Sequence, residues 1–454
     1  MNEGMSRRAF LKGGTGTVAA AAFGGTLISA VAGCGSGSSA SSGGSSGGTL
    51  TVYADANPQG QGLQPLIPEF EKQTGIKVNY QVLSELDITK KAAVALAAGN
   101  GTVDVTWGGV SQKPEWVTAG WVEPIDDYLN DPSLVGKGYS TSDWLPACWK
   151  ATEYNGKHWG FPTLLDTNIL MYRKDILSSA GVAPPTTISD LLAACAKVNT
   201  KSVPAITLRG ARGVHSNIWI FNIFYYGEGG IYYKGQKPGG RAPSGRLSAA
   251  MDTAADLTGL QIYGEFFRRG YTPAGSASWD YPETTAAFKG GKAAMLVDDI
   301  AFALEMIDAL GDKVAFAEAP RGPAGLFPGF DTQMWFLAKG TPNRDAAIKF
   351  MAWSTSPQVQ VQAAKNGKYI GVTRQSALHS SAFKSFARPD VLAILSKESP
   401  DLDVNHFVQT PSFNVVGDYM SIAVNEVISG TASAKSALST AQSQAASYLL
   451  THSG

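Results

Sequence analysis

Carboxylates and aromatic rings at the ends of short apolar segments are the residues of this chain whose types and spacing could do chemistry. Asp166 stands in "LLDTN", where an unpaired carboxylate among apolar neighbours is costly. Asp298 and Asp299 end the apolar run "AAMLV". Asn57 and Gln59 follow "TLTVYAD", Glu85 follows "IKVNYQV", and Trp107 closes "VDVTW" just before two glycines. Such a set admits two chemistries. A carboxylate accepts two hydroxyl bonds at once and is a stronger acceptor than a neutral group, while a ring covers an apolar CH face at little entropic cost. Together they bind. Paired carboxylates around a cleft also serve glycoside hydrolysis, but no nucleophile elbow, HExxH or glycine-rich phosphate loop accompanies them. The 5 histidines lack the spacing of a metal site, so no metal and no cofactor is expected.

The elements that must position these groups follow a βαβ rhythm. Thr49 to Asp55 alternates apolar and polar residues and predicts a strand. "PLIPEFEKQTG" predicts a helix closed by Gly75, "IKVNYQV" a second strand, "KKAAVALAAGNG" a helix and "VDVTW" a third strand. Alternation of this kind builds an α/β layer with parallel strands, in which ligands sit at the carboxyl ends of strands. The loops after Tyr53, Val82 and Trp107 are therefore the place to look. Residues 176–310 are richer in helical periodicity, with Thr187 as a capping residue. "VAFAEAP" and "TQMWFLA" predict strands, "NRDAAIKFMAW" a helix, and the alanine-rich C-terminus a helix anchored by Leu438 and Leu449.

Composition sets the outer bounds. Of 454 residues 44% are hydrophobic and 10% aromatic, enough for a real core, and Lys+Arg balances Asp+Glu at 37 each. Zero net charge offers no footprint for nucleic acid. Low charge with many rings suits a neutral, polar ligand. At the N-terminus, Arg7 and Arg8 in "SRRAFLK" precede a weakly apolar run, the pattern of a twin-arginine export signal. That run is too weakly hydrophobic to span a membrane stably. It ends in "VAGC", similar to a bacterial lipobox whose Cys34 is diacylated and becomes the new N-terminus. Acyl chains, at ~0.8 kcal/mol per buried CH2, would hold the protein on the outer face of the cytoplasmic membrane. Residues 1–33 are thus read as signal peptide and 34–48 as a flexible Ser/Gly tether. Export permits a disulfide, and whether Cys148 and Cys195 pair is left open.

Longer motifs carry a resemblance. "YNGKHWGFPTLLDTNILMYRKDIL…AGVAPPTTISDLL", "AAFKGGKAAMLVDD", "NRDAAIKFMAWSTSPQ" and "KYIGVTRQSAL", in that order, are similar to segments of bacterial extracellular solute-binding proteins of the maltose-binding type. The likeness spans residues 49–450. It implies the two-lobed α/β fold of type II periplasmic binding proteins, closing like a hinge on a ligand. The chain would cross between lobes three times, near Leu164–Asn168, Phe327–Asp331 and Ile370–Thr373. One lobe would hold 49–165 plus 331–370, the other 166–330 plus 371–454.

The resemblance also implies a role: a lipoprotein receptor, monomeric, that captures a sugar or sugar alcohol and delivers it to the permease of an ABC importer. By place in the motifs, Asp166 matches a family carboxylate that bonds sugar hydroxyls. Trp219 falls where a stacking ring is often found, and Asp331 sits at the second crossing. Asp298 and Asp299 stand where the maltose type carries an aromatic shortly after, but Ala301 takes that place here, with Phe302 beside it. "TLRGARGVHSNIWIF" and "AAMLVDD" look more like the sugar-alcohol branch, in which Arg and Asp clasp an open-chain polyol; Arg209 and Arg212 are the candidates. Two alternatives remain. The same fold could bind a polyamine or peptide, although a polyamine calls for clustered carboxylates and those here are dispersed along the chain. An exported glycoside-processing enzyme is the other.

Overall fold

The computed structural model describes residues 48–398 and 402–452. Arg7, Arg8, Cys34 and the Ser/Gly tether lie outside the described residues. Eleven strands are present among them: β1 (Leu50–Asp55), β2 (Val78–Leu83), β3 (Val105–Gly108), β4 (Val122–Glu123), β5 (Glu153–Tyr154), β6 (Lys157–His158), β7 (Gly160–Arg173), β8 (Ile206–Thr207), β9 (Met295–Asp299), β10 (Val314–Glu318) and β11 (Phe330–Ala338). The three strands of the N-terminal rhythm form as expected. β1 pairs in parallel with both β2 and β3, and the connecting helices Ile67–Thr74 and Glu85–Ala98 run where the apolar periodicity placed them. Gly75 ends the first of these at φ 74°, a left-handed position that glycine adopts without a Cβ penalty.

The main sheet runs in the order β2-β1-β3-β11-β7-β9-β8, with β4 added beside β11 and β10 beside β7. Its centre is β7, fourteen residues of which the first twelve are buried. Residues 160–167 of this strand pair antiparallel with β11, while 168–173 pair with β9 and β10. One continuous strand therefore belongs to two groups of neighbours, changing partners at Thr167/Asn168. That change falls within the first of the three expected crossings.

Around the second group of strands the chain is mostly helical. Thr187 caps Ile188–Val198 by accepting from Asp190 N–H at 3.0 Å. Trp219–Gly227 is buried at every residue and packs against Ala254–Arg268 through Phe221, Phe224 and Tyr263. The C-terminal helix Ala434–His452 buries Leu438 and Leu449. Cys148 and Cys195 are both buried free thiols, and burial pushes the Cys148 pKa up to about 12. No helix among the described residues is long and apolar enough to cross a membrane.

Candidate functional site

Between the two groups of strands lies a small cavity that opens to solvent. Its floor comes from strand alternation, which sends every second side chain to one face. Leu164 and Asp166 on β7 and Asp331 and Gln333 on β11 all line the cavity, and Asp166 lies directly opposite Asp331 in the ladder. Like charges opposed in a sheet are unfavourable, so packing alone does not account for them. Asp331 Oδ1 accepts from Val110 N–H at 3.0 Å, yet burial still pushes its carboxyl up to about 6. Asp166 Oδ2 accepts from Gln333 Nε2 at 3.2 Å. Its other oxygen is buried without a protein partner. Burial, with Asp299 and Asp331 nearby, holds the Asp166 pKa well above the carboxylate range.

One wall is built from the strand ends. Asp55 closes β1, is 2% exposed, and keeps a buried oxygen unpartnered. Burial is the main reason its pKa rises to about 7. Two residues on, Asn57 caps the short helix Pro58–Leu63, its Oδ1 accepting from Gly60 N–H at 2.8 Å. Glu85 opens the helix after β2 behind the Ser84 cap, and burial raises its pKa as well.

The opposite wall follows β8 and β9. Arg209 is 3% exposed. It donates from Nε and Nη2 to the two oxygens of Asp298, from Nη2 to Asp299 Oδ2 at 2.8 Å, and from Nη1 to the His215 carbonyl at 3.0 Å. Asp299 Oδ1 in turn accepts from the Trp219 indole. His215 sits in a π-helical turn, Val214–Ile218. Gln112 Oε1 accepts from Gly109 N–H, which turns its amide nitrogen toward His215 Nε2 at 3.2 Å. Nε2 is therefore an acceptor and also meets Ser111 Oγ at 2.5 Å. The proton rests on Nδ1, 3.5 Å from Glu85 and 4.0 Å from Asp331. Burial and Arg209 push the His215 pKa down to about 4, so the ring is neutral at neutral pH.

The aromatic rings of this wall are largely engaged with one another. Trp219 stacks on Phe407 at 5.4 Å and meets His406 edge-on at 4.8 Å. Tyr281 and Phe302 stack at 5.5 Å with 13° between their planes. Each of these rings has one face engaged by its neighbour, while carboxylates surround the space.

Seven of the residues singled out in the sequence meet at this cavity: Asn57, Glu85, Asp166, Arg209, Trp219, Asp299 and Asp331. Trp107 does not line it; the ring is buried in the core and its indole N–H is spent on Gln333 at 2.7 Å. Gln59 is buried without reaching the space. Arg212, three residues beyond Arg209, pairs with Asp418 at the surface instead. Four polar lining residues were missed: Asp55, His215, Tyr281 and Gln333. Gln333 could have been found by the period-2 step from Asp331; His215 carries no local signal. The carboxylates that are dispersed in the chain converge in space, which removes the sequence argument against a cationic ligand. Among the described residues no cluster fits a metal ion.

The family model described as bacterial extracellular solute-binding protein matches residues 53–361. An erythritol/L-threitol-binding protein of Mycolicibacterium smegmatis is 24% identical over 365 residues, 75% of this chain and 73% of its own. A mannitol-binding protein of Pseudomonas aeruginosa is 25% identical over 429 residues, 88% of this chain and 92% of its own. The crystal structure of an ABC transporter solute-binding protein from Agrobacterium radiobacter, in complex with ribitol, superposes with a TM-score of 0.78 at 21% identity. It covers 88% of this chain and 98% of that one.

Proposed function

The chain belongs to the bacterial extracellular solute-binding proteins, and from that membership we propose that it captures an open-chain sugar alcohol and delivers it to the permease of an ABC importer. It is a binding protein and not an enzyme. The observation that carries the ligand is the pair of buried, unpartnered carboxylate oxygens of Asp55 and Asp166, lining one cavity with Glu85 and Asp331. An alditol presents hydroxyl donors along its whole length. Each donor meeting such an oxygen satisfies a group that is costly to leave unpaired. Rings stacked on each other favour an extended polyol over a pyranose. The relatives named for erythritol and mannitol, and the ribitol complex, support the same class.

Capture would proceed by closure of a lobe of residues 49–165 plus 331–370 onto one of 166–330 plus 371–454, hinged where β7 changes partners. Isothermal calorimetry with erythritol, ribitol, mannitol and maltose tests the reading. At least one alditol should bind and, at a hundredfold excess over Kd, raise unfolding stability by about 2.7 kcal/mol. Binding of maltose alone, or of none of the four, would sink it. A second reading rests on the convergence of carboxylates around a single arginine: a ligand carrying an amine. Putrescine in the same panel decides between them.

Cys34 is proposed as the lipid attachment that keeps a monomeric receptor at the outer face of the cytoplasmic membrane. Metabolic labelling with an acyl-chain analogue should mark the wild type and not Cys34→Ser; label on both would refute it.

A further inference from the structure

The side chain of Gln333 touches three of the residues above, Asn57, Trp107 and Asp166. Its Oε1 accepts from Asn57 Nδ2 at 2.6 Å and from Trp107 Nε1 at 2.7 Å. An indole nitrogen only donates, so the atom facing it must be oxygen, and the two ends of this amide cannot exchange places. Its Nε2 is thereby turned to Asp166 Oδ2 at 3.2 Å. We propose that Gln333 is the positioning residue of the ligand site. Held at one end by Asn57 and Trp107, it presents an N–H to one oxygen of Asp166 and so keeps the other free for a ligand hydroxyl.

The chemistry depends on what stands at that place. An N–H donor favours the charged, accepting form of Asp166 against the desolvation that opposes it. An acceptor there would claim a proton from Asp166 and change what the carboxyl offers the ligand. The arrangement also gives Asn57 and Trp107 a shared function without contact between Trp107 and the ligand. Asn57 comes from the loop after β1 and Trp107 from the end of β3, and both are read out through β11 onto β7. A loop and a strand thus set the aim of one carboxylate.

This inference rests on the alditol reading for its affinity readout, so the test carries a second readout that needs no ligand. In Gln333→Glu, one carboxylate oxygen still accepts from Asn57 and Trp107. The other meets Asp166 Oδ2, and two carboxyls at that separation are held around a shared proton. The charged groups around Asp166 (Asp299, Asp331, Glu85 and Arg209) are present in variant and parent alike, so the parent measured at each pH is the reference. Relative to the parent, Kd for the alditol should be raised least at pH 5, within about threefold, and more at pH 8, about tenfold, because a shared proton is harder to keep as pH rises. Loss that is equal at both pH values, or no loss, overturns the proposal. In 15N-edited spectra, the Trp107 indole N–H, assigned with Trp107→Phe, should shift further between pH 5 and 8 in Gln333→Glu than in the parent, whose own site carboxyls also titrate there. An indole shift no larger in the variant than in the parent overturns it equally. Should no alditol bind the parent, the ligand reading fails alone and the indole signal still decides the role of Gln333.

Discussion

Arg209→Met is expected to lower unfolding stability by about 3–5 kcal/mol, the range for removing one partner of a buried ion pair, and to abolish ligand capture. The side chain is nearly the right length, so the loss comes from charge and not from a void. Asp298 is fully buried and Asp299 nearly so, while Asp280 approaches Arg209 Nη1 at 3.9 Å. With the guanidinium gone, these carboxylates face one another at low dielectric, where a like charge adds to the cost of desolvation. Thr284 Oγ1 at 3.2 Å and the Asp299 N–H at 2.9 Å remain as donors to Asp298, too few to replace a fork that reaches both residues. The variant should be destabilised less at pH 5 than at pH 8, because protonation of Asp299, whose carboxyl is already pushed up to about 7 by burial, relieves the repulsion. Arg209→Lys keeps the charge but not the fork and should fall between. Urea unfolding at the two pH values reads all three. A midpoint for Arg209→Met equal to the parent's would show that the guanidinium is not what holds this wall.

The same residue shows how far the sequence could be read. Arg209 and Arg212 look alike in "TLRGARG", two arginines each beside a glycine. Only the fold separates them, because the segment just after β8 buries Arg209 in the wall while the chain turns outward to bring Arg212 to Asp418. Asp166 stood out as a carboxylate among apolar neighbours, a conflict that points to a site, and Asp331 by its place in the second expected crossing. Gln333 raises no such conflict. A single amide in a strand is unremarkable until its partners, 167, 226 and 276 residues away, are known. Asp55 was passed over as the end of a strand, although strand ends were where ligands were expected. Trp107 was placed at the right end of the right strand, but its indole nitrogen turned toward Gln333 and its ring into the core. Periodicity fixes which face a side chain takes, not what it meets there. The N-terminal strands and helices were legible for that reason, as their faces are set by alternation alone.

Gly371→Ala should cost about 3 kcal/mol, at the upper end of ordinary overpacking, and weaken ligand capture with it. Gly371 lies in the third segment expected to cross between lobes, and that segment is tied to β7 along its length. Its carbonyl accepts from Leu165 N–H at 2.8 Å, and Thr373 Oγ1 donates to the Pro162 carbonyl at 2.9 Å. A Cβ on Gly371 would stand 2.1 Å from the Leu165 carbonyl oxygen and 2.7 Å from Leu164 Cδ1. The first of these is backbone in the middle of a buried strand, with no rotamer to change. The backbone at 371 is not left-handed, so conformational strain adds nothing and the cost is contact alone. Relief requires the segment to lift off β7 and give up the Leu165 bond, or β7 to shift at Leu164 and Leu165. Either movement displaces Asp166, one residue further on, from its place beside Gln333. Stability and affinity should therefore fall together, in contrast to Gln333→Glu, where affinity falls with pH alone. Urea unfolding and calorimetry on one preparation of Gly371→Ala measure both. Unchanged stability would mean that the third segment rests on β7 loosely and that the aim of Asp166 owes nothing to it.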